Sequence, residues 1–170
     1  MEQLIPSLVF YVLVLIVCLA KPGVGRVFVG FFFLLMAIGV NVVLVLVAPE
    51  QFVALGTDEP LVPLYRWFFE NVVALAPPAF GLLAATYEVT MALMMLSRGR
   101  YVKWGLIGGI VFLLAITPLG IWTLANPVMA LALAALLRQE YRRSLAQMIG
   151  GAVGRSRPRA PRAVDRRRVR

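Results

Sequence analysis

The sequence predicts an all-α integral membrane protein: a bundle of five transmembrane helices with the N-terminus outside and the C-terminus cytoplasmic. Composition is the first reason. Of 170 residues, 61% are hydrophobic and 15% charged, against roughly 45–50% and about 25% in soluble domains. Mean hydropathy is +0.87, more apolar surface than a soluble core of this length can hide. Segregation is the second reason. The formal net charge is +9, from 17 Lys and Arg against 8 Asp and Glu, yet long stretches carry no charge, as a bilayer requires. The third reason is the side on which the basic residues fall once the spans are drawn.

The first apolar run is Leu4–Ala20, closed by Lys21-Pro22-Gly23. Glu2 stands where a signal peptide carries positive charge, and Ala20-Lys21-Pro22 is a poor cleavage site, so the run is read as a retained helix. The second run covers residues 27–48, with Asn41 its most polar member and Pro49 ending it. A polar loop is expected over residues 49–66, with Glu50, Asp58, Glu59, Pro60 and Pro63. The third span starts between residues 67 and 72 and runs to Leu96, and residues 97–103 form a short basic connection.

Residues 104–137 then carry no charge. A continuous helix of that length would measure about 51 Å, against a hydrocarbon core of about 30 Å. Proline disfavours a helical conformation in the residue before it, so Asn126-Pro127 is a natural helix start. The run is therefore split into spans 104–121 and 127 onward, joined by a turn at 122–126. The last helix is apolar to Leu137 and is expected to continue through Arg138 to Arg143, where long basic side chains snorkel.

Five spans place Lys21, Arg26, Arg98, Arg100, Lys103, Arg138, Arg142, Arg143 and eight tail arginines on the cytoplasmic side, which is 16 of the 17 basic residues. Arg66 alone lies outside, with Glu2, Glu50, Asp58, Glu59 and Glu70. Four spans would put the arginine-rich tail outside, against the positive-inside rule. The chain thus divides into an N-terminal helix and turn (1–25), a four-helix core (26–149) and a tail (150–170) expected to be disordered. A multi-pass protein of the plasma membrane is the expectation.

The tail arginines are Arg155, Arg157, Arg159, Arg162, Arg166, Arg167, Arg168 and Arg170. They suit anionic lipid headgroups, at about 1 kcal/mol per basic residue near the surface. An acidic partner protein, or a plain topological anchor, fits them too. No aromatic residue interleaves with them, which argues against nucleic acid, where bases stack on aromatic rings.

Catalytic equipment is sparse. The chain has no histidine and a single cysteine, Cys18, which excludes His-ligated metals, His acid–base catalysis, an intrachain disulfide and a CxxC relay. No phosphate loop, nucleophile–base pair or metal-ligand spacing occurs, so a non-enzymatic role is expected.

Glu88 is the leading candidate site residue. It lies ten residues before Arg98, about 15 Å along a helix and so near the bilayer midplane. It reads as the only ionisable side chain within the spans, and it should face the bundle interior, a partner or water. Tyr87, Thr86 and Thr90 are neighbouring donors, and Asn41, Thr117, Thr123 and Asn126 are polar groups that would converge on it. The ligand-binding candidates are Glu88, Tyr87, Asn41, Thr117 and Asn126. They would serve a headgroup, a quinone or a proton; a plain interhelical hydrogen bond is the competing reading. No cofactor other than a quinone suggests itself.

Pro77-Pro78 reads either as a kink that opens a pocket mouth near Glu70 and Asn71, or as the junction between an interfacial helix (64–76) and the true span. Met36, Met91, Met94 and Met95 read as packing or lipid contact. Trp67, Trp104 and Trp122 fall near span ends, as an aromatic belt requires. Gly105, Gly108 and Gly109 make a small-residue packing face, and Cys18 reads as a buried inert thiol.

Three stretches carry a family resemblance: Gly25-Arg26-Val27-Phe28-Val29-Gly30-Phe31, then Ala48-Pro49-Glu50-Gln51-Phe52-Val53-Ala54-Leu55-Gly56, then Glu88-Val89-Thr90-Met91-Ala92-Leu93 leading to Arg98-Gly99-Arg100. Their order from Arg26 to about Arg143 resembles the DoxX-like family of small membrane proteins. The resemblance implies a four-helix bundle with both ends cytoplasmic, and Glu88 in the family's glutamate position. It also implies a link to quinone-coupled sulfur oxidation or to redox complexes. The chain departs from the family in its extra N-terminal helix, in Asn41 near a frequent lysine position, and in the double proline. The expected function is an accessory or assembly subunit of a membrane complex, with lipids and other membrane-protein subunits as partners. The alternatives are a quinone- or lipid-binding pocket anchored by Glu88, and a small proton-coupled transporter.

Overall fold

Prolines set the rhythm of the chain. The structure, a computed structural model, describes residues 4–148 and contains helices and no strand among them. Helix α1 is Leu4–Ala20, α2 is Pro22–Val47, α3 is Pro49–Thr57 and α4 is Pro63–Asn71. They are followed by α5, Pro77–Leu96, α6, Arg100–Ile116, and α7, Asn126–Leu137. A proline sits in the first two positions of α2, α3, α4, α5 and α7. Its fixed φ suits that position, and its missing N–H would have no partner there. The residues just before three of these helices, Lys21, Ala48 and Ala76, adopt closely similar non-helical conformations, with φ of −139°, −146° and −154°.

Helices α2, α5 and Arg100–Leu119 are long and apolar enough to cross a membrane; Leu4–Ala20 and Ile121–Leu137 are shorter apolar helices. The five close into a ring: α1 packs beside α2, α2 beside α5, α5 beside α6, α6 beside α7, and α7 beside α1. Val14 and Cys18 of α1 belong to the same buried cluster as Val29, Phe33, Met91, Met95, Leu106, Leu113, Met129 and Leu133. The N-terminal helix is thus one wall of the ring. Outward side chains are apolar as well, among them Leu13, Ile16, Phe31, Leu35, Leu83, Val111 and Leu131. A helical ring that is apolar on both faces matches a lipid surround.

The structure revises four expectations. Residues 49–66 hold helix α3 and the start of α4 instead of a loop. These two short helices pack on each other and on α2 and α5, around Val45, Phe52 and Val73. The third long helix starts at Pro77 and not between 67 and 72: the two prolines open it after a short helix and a 3₁₀ turn at Val73–Leu75, which is the junction reading of Pro77-Pro78 and not the kink reading. The last helix stops at Leu137. Beyond it the chain leaves the helix, and Tyr141 is buried against the bundle. Finally, α2 contains a π-helical stretch, Met36–Val42, that periodicity did not signal. The tail, 150–170, lies outside the described residues.

The glycine face of α6 is a close backbone contact. A Cβ built on Gly105 would lie 2.8 Å from both Met91 O and Met95 N, backbone atoms that cannot step aside. Gly105→Ala should therefore push α5 and α6 apart and lower stability by about 1–3 kcal/mol, measured by denaturant titration in detergent. Gly23→Ala, with nothing within 4 Å, should cost little by comparison.

Candidate functional site

Among the described residues, two polar groupings, one around Glu88 and one around Arg26, join separate long helices or segments at different heights. The first joins α2 to α5. Asn41 Nδ2 donates to Glu88 Oε2 at 2.5 Å, and Glu88 is 3% exposed. Glu88 faces inward because it shares a helix face with the buried Gly81, Ala85, Met91, Ala92 and Met95. Asn41 is half-buried and lies in the π-helical stretch. Such a stretch shifts the register of the side chains after it and recurs at functional sites. A carboxyl in a low-dielectric interior needs such a donor, since an unpaired polar group there costs several kcal/mol.

The other sequence candidates do not converge on Glu88. Tyr87 points to the next helix, its hydroxyl donating to Gly108 O at 3.3 Å, with its ring against Phe112. Thr86 and Thr90 donate back along their own helix, to Leu82 O at 2.7 Å and Thr86 O at 2.8 Å. Thr117 donates to Leu113 O at 2.7 Å. The Thr123 hydroxyl lies 2.7 Å from Thr117 O and accepts Gly120 N–H at 3.1 Å, so it stitches the turn that separates α6 from α7. Asn126 opens α7, 3% exposed, with Nδ2 unpartnered. Of the five candidates, only Glu88 and Asn41 meet. The tail arginines Arg155 to Arg170 lie outside the described residues.

The second grouping was missed from sequence. Arg26 is 1% exposed, so Glu88 is not the only charged type inside the ring. Its Nη1 donates to Ser97 O at 2.8 Å and its Nη2 to Arg143 O at 3.1 Å. Its guanidinium lies 4.7 Å from the centre of the Tyr141 ring, a cation–π contact. Tyr141 in turn donates to Leu136 O at 3.1 Å, and its carbonyl accepts Gly99 N–H at 2.7 Å. One side chain thus ties the start of α2 to the end of α5 and to the segment after α7. The planar fork makes this possible, since it aims separate donors at separate carbonyls. The sequence signal was present: an arginine one turn inside an apolar helix, with buried glycines at 25 and 30. Counting it as flanking charge hid it.

Burial pushes the Tyr141 phenol up to about 12, with the Arg26 charge partly opposing the rise and Cys18 adding to it. The folded value lies above the ordinary 10.0, so the phenol's contribution is intact below about pH 10 and is lost as pH rises through about 12. Tyr141→Phe should flatten the stability profile over that alkaline window and, at neutral pH, cost about 0.5–1.5 kcal/mol for the lost hydrogen bond.

Arg26→Met should lower stability by about 2–4 kcal/mol, since two carbonyls lose a charged donor. Arg26→Lys should recover only part of this, because an ammonium cannot reproduce the fork. A double-mutant cycle of Asn41→Leu with Glu88→Leu should give a coupling of about 0.6–2 kcal/mol; both are read by unfolding in detergent. Comparison with family models, curated proteins and solved structures found no match for this chain.

Proposed function

We propose that the chain is a five-span protein of the cell membrane that works as a non-catalytic accessory or assembly subunit of a membrane complex. The observation that carries this reading is how the inner polar groups are used. Glu88, Asn41, Arg26 and Tyr141 bind one helix to another, while the outer faces present apolar side chains. Such a body offers lipid and neighbouring helices a surface and keeps its polar chemistry for its own cohesion. The DoxX-like resemblance belongs to the same proposal.

The proposed topology is N-terminus outside and C-terminus cytoplasmic. It is supported by the basic residues gathered at the Arg26 end, on Lys21, Arg98, Arg100, Lys103, Arg138, Arg142 and Arg143. Glu50, Asp58, Glu59 and Glu70 fall in the α3–α4 region at the other end. Leu4–Ala20 and Ile121–Leu137, at 17 residues each, reach about 26 Å, within what tilt, thinning and snorkelling accommodate.

A second reading has one observation in its favour. Asn41 is half-buried and flanked by the exposed Gly39 and Val40, so a quinone or lipid could approach the Asn41–Glu88 pair from the bilayer. In that reading Glu88→Gln weakens ubiquinone or menaquinone binding while the protein stays folded, and unchanged binding would contradict it.

Topology is tested with single added cysteines and a membrane-impermeant maleimide, Cys18 itself being buried. Asp58→Cys should label in intact cells, and Gln139→Cys only after permeabilisation; the reverse pattern would overturn the orientation. Affinity purification in mild detergent should recover a stoichiometric membrane-protein partner. Recovery of the chain alone would count against the subunit role.

A further inference from the structure

We infer that the Arg26 end carries a binding cleft for a phosphate oxyanion, which in the membrane is the headgroup of an anionic phospholipid. A cleft of about 900 Å³ opens between the start of α6 and the segment after α7. Four cations line it, Arg98, Arg100, Lys103 and Arg142, with Glu140 as the one acid in the lining. Glu140 faces Arg142 at 3.5 Å, and both side chains are largely exposed, so this ion pair is weak and easily exchanged for another anion. Removing that pair still leaves an excess of three positive charges.

The backbone adds to the side chains. Gly99 is the residue before α6, with φ of +63° and no side chain to cap the helix. Its own N–H is spent on Tyr141 O. The first N–H groups of α6 therefore have no intrahelical acceptor and no side-chain cap, and they sit at the positive end of a 17-residue helix. Helix starts of this kind take phosphate readily. Here the helix start lies in a concave, cation-lined cleft, with basic residues supplied from two separate segments. A phosphate, with several acceptor oxygens, can engage both at once.

The source of the phosphate follows from what borders the cleft. Tyr101 and Trp104 are exposed at 54% and 60%, one on the cleft wall and one just beyond it along α6. Aromatic rings of this type sit at headgroup depth, and the apolar outer face of α6, with Ile107, Val111 and Leu114 exposed, continues from them. A lipid whose phosphate sits in the cleft would lay its acyl chains along that face. Basic pockets at the cytoplasmic ends of spans bind anionic headgroups on the same principle. This inference rests on the membrane reading above, though its test does not depend on the orientation of the chain.

The test is native mass spectrometry of the full chain in detergent, titrated separately with phosphatidylglycerol, phosphatidylcholine and inorganic phosphate. Phosphatidylglycerol should bind in preference to phosphatidylcholine. The double variant Arg100→Gln/Lys103→Gln should weaken it about thirtyfold, from about 1 kcal/mol per basic residue. Arg138→Gln, on an exposed side chain outside the cleft lining, should leave binding unchanged, and the tail arginines contribute equally to every variant. Thermal unfolding of each variant checks that the loss is local. Inorganic phosphate that binds as tightly as phosphatidylglycerol would make the free ion the ligand of the same cleft. Equal binding by wild type and double variant, or equal binding of both lipids, would overturn the inference. Wrong-sided labelling of Asp58→Cys would overturn the orientation and leave this result standing.

Discussion

One end of the ring depends on a single buried guanidinium. Arg26 reaches the end of α5 and the segment after α7 from the start of α2, and Tyr141 roofs it. A full positive charge in such a place is costly by itself. It is tolerated because two carbonyls and an aromatic face receive it, while its Nε has no partner among the described residues. The last carbonyls of a helix lack intrahelical partners, and the Ser97 carbonyl, at the C-cap of α5, takes a donor from another segment. Arg26 supplies Ser97, just past α5, and Arg143, beyond α7. The turn at Tyr141 follows from the same contact. Without the guanidinium beneath it, that ring would have less reason to fold back across the bundle.

The rest of the interior obeys the same rule with weaker groups. The α5–α6 seam closes on glycine, where backbone atoms approach within Cβ distance, and dispersion takes over where hydrophobic segregation drives little between lipid-facing helices. At mid-height the Glu88–Asn41 bond joins α2 to α5. At the far end the Thr123 hydroxyl and the Tyr65 bond to Ala115 O at 2.5 Å hold the connecting turns. The ring helices meet chiefly through apolar contact, with side-chain hydrogen bonds joining α2 to α5 and α5 to α6.

Much of the architecture was legible in the sequence because proline and charge are local signals. Ala20 as an end, Pro127 as an early helical residue and the division of the uncharged run all follow from steric rules that tertiary packing does not override. What was not legible depends on packing between distant segments. The π-helical stretch at Met36–Val42 holds the weak helix formers Gly39, Val40, Asn41 and Val42, but low propensity does not by itself mark a wider turn. The helix at 49–57 looks polar enough for a loop; it forms as Phe52 joins Val45 and Val73 in a buried cluster, with Phe69 packed against it. At the candidate site, Glu88 was legible as an inward-facing carboxyl and Asn41 as a polar outlier, since each stands alone in an apolar run. Tyr87, Thr117 and Asn126 could not be placed, because one position of helical rotation sends a side chain to another neighbour. Arg26 was misjudged for a related reason. An arginine near a helix end looks like a snorkelling residue, and only the arrival of Ser97 and Arg143 makes it a buried one.

The central claim is that Arg26 holds three chain segments together at one end of the ring. Hydrogen–deuterium exchange in detergent tests it most directly, by following peptides that cover residues 97–101 and 138–144 in the wild type and in Arg26→Met. The Gly99 amide is the most informative, since its acceptor is the carbonyl of Tyr141. The account predicts fast exchange at both segments in the variant, with the α5–α6 seam around Gly105 still protected. Unchanged protection at Gly99 would contradict it, and so would a uniform loss of protection across all helices.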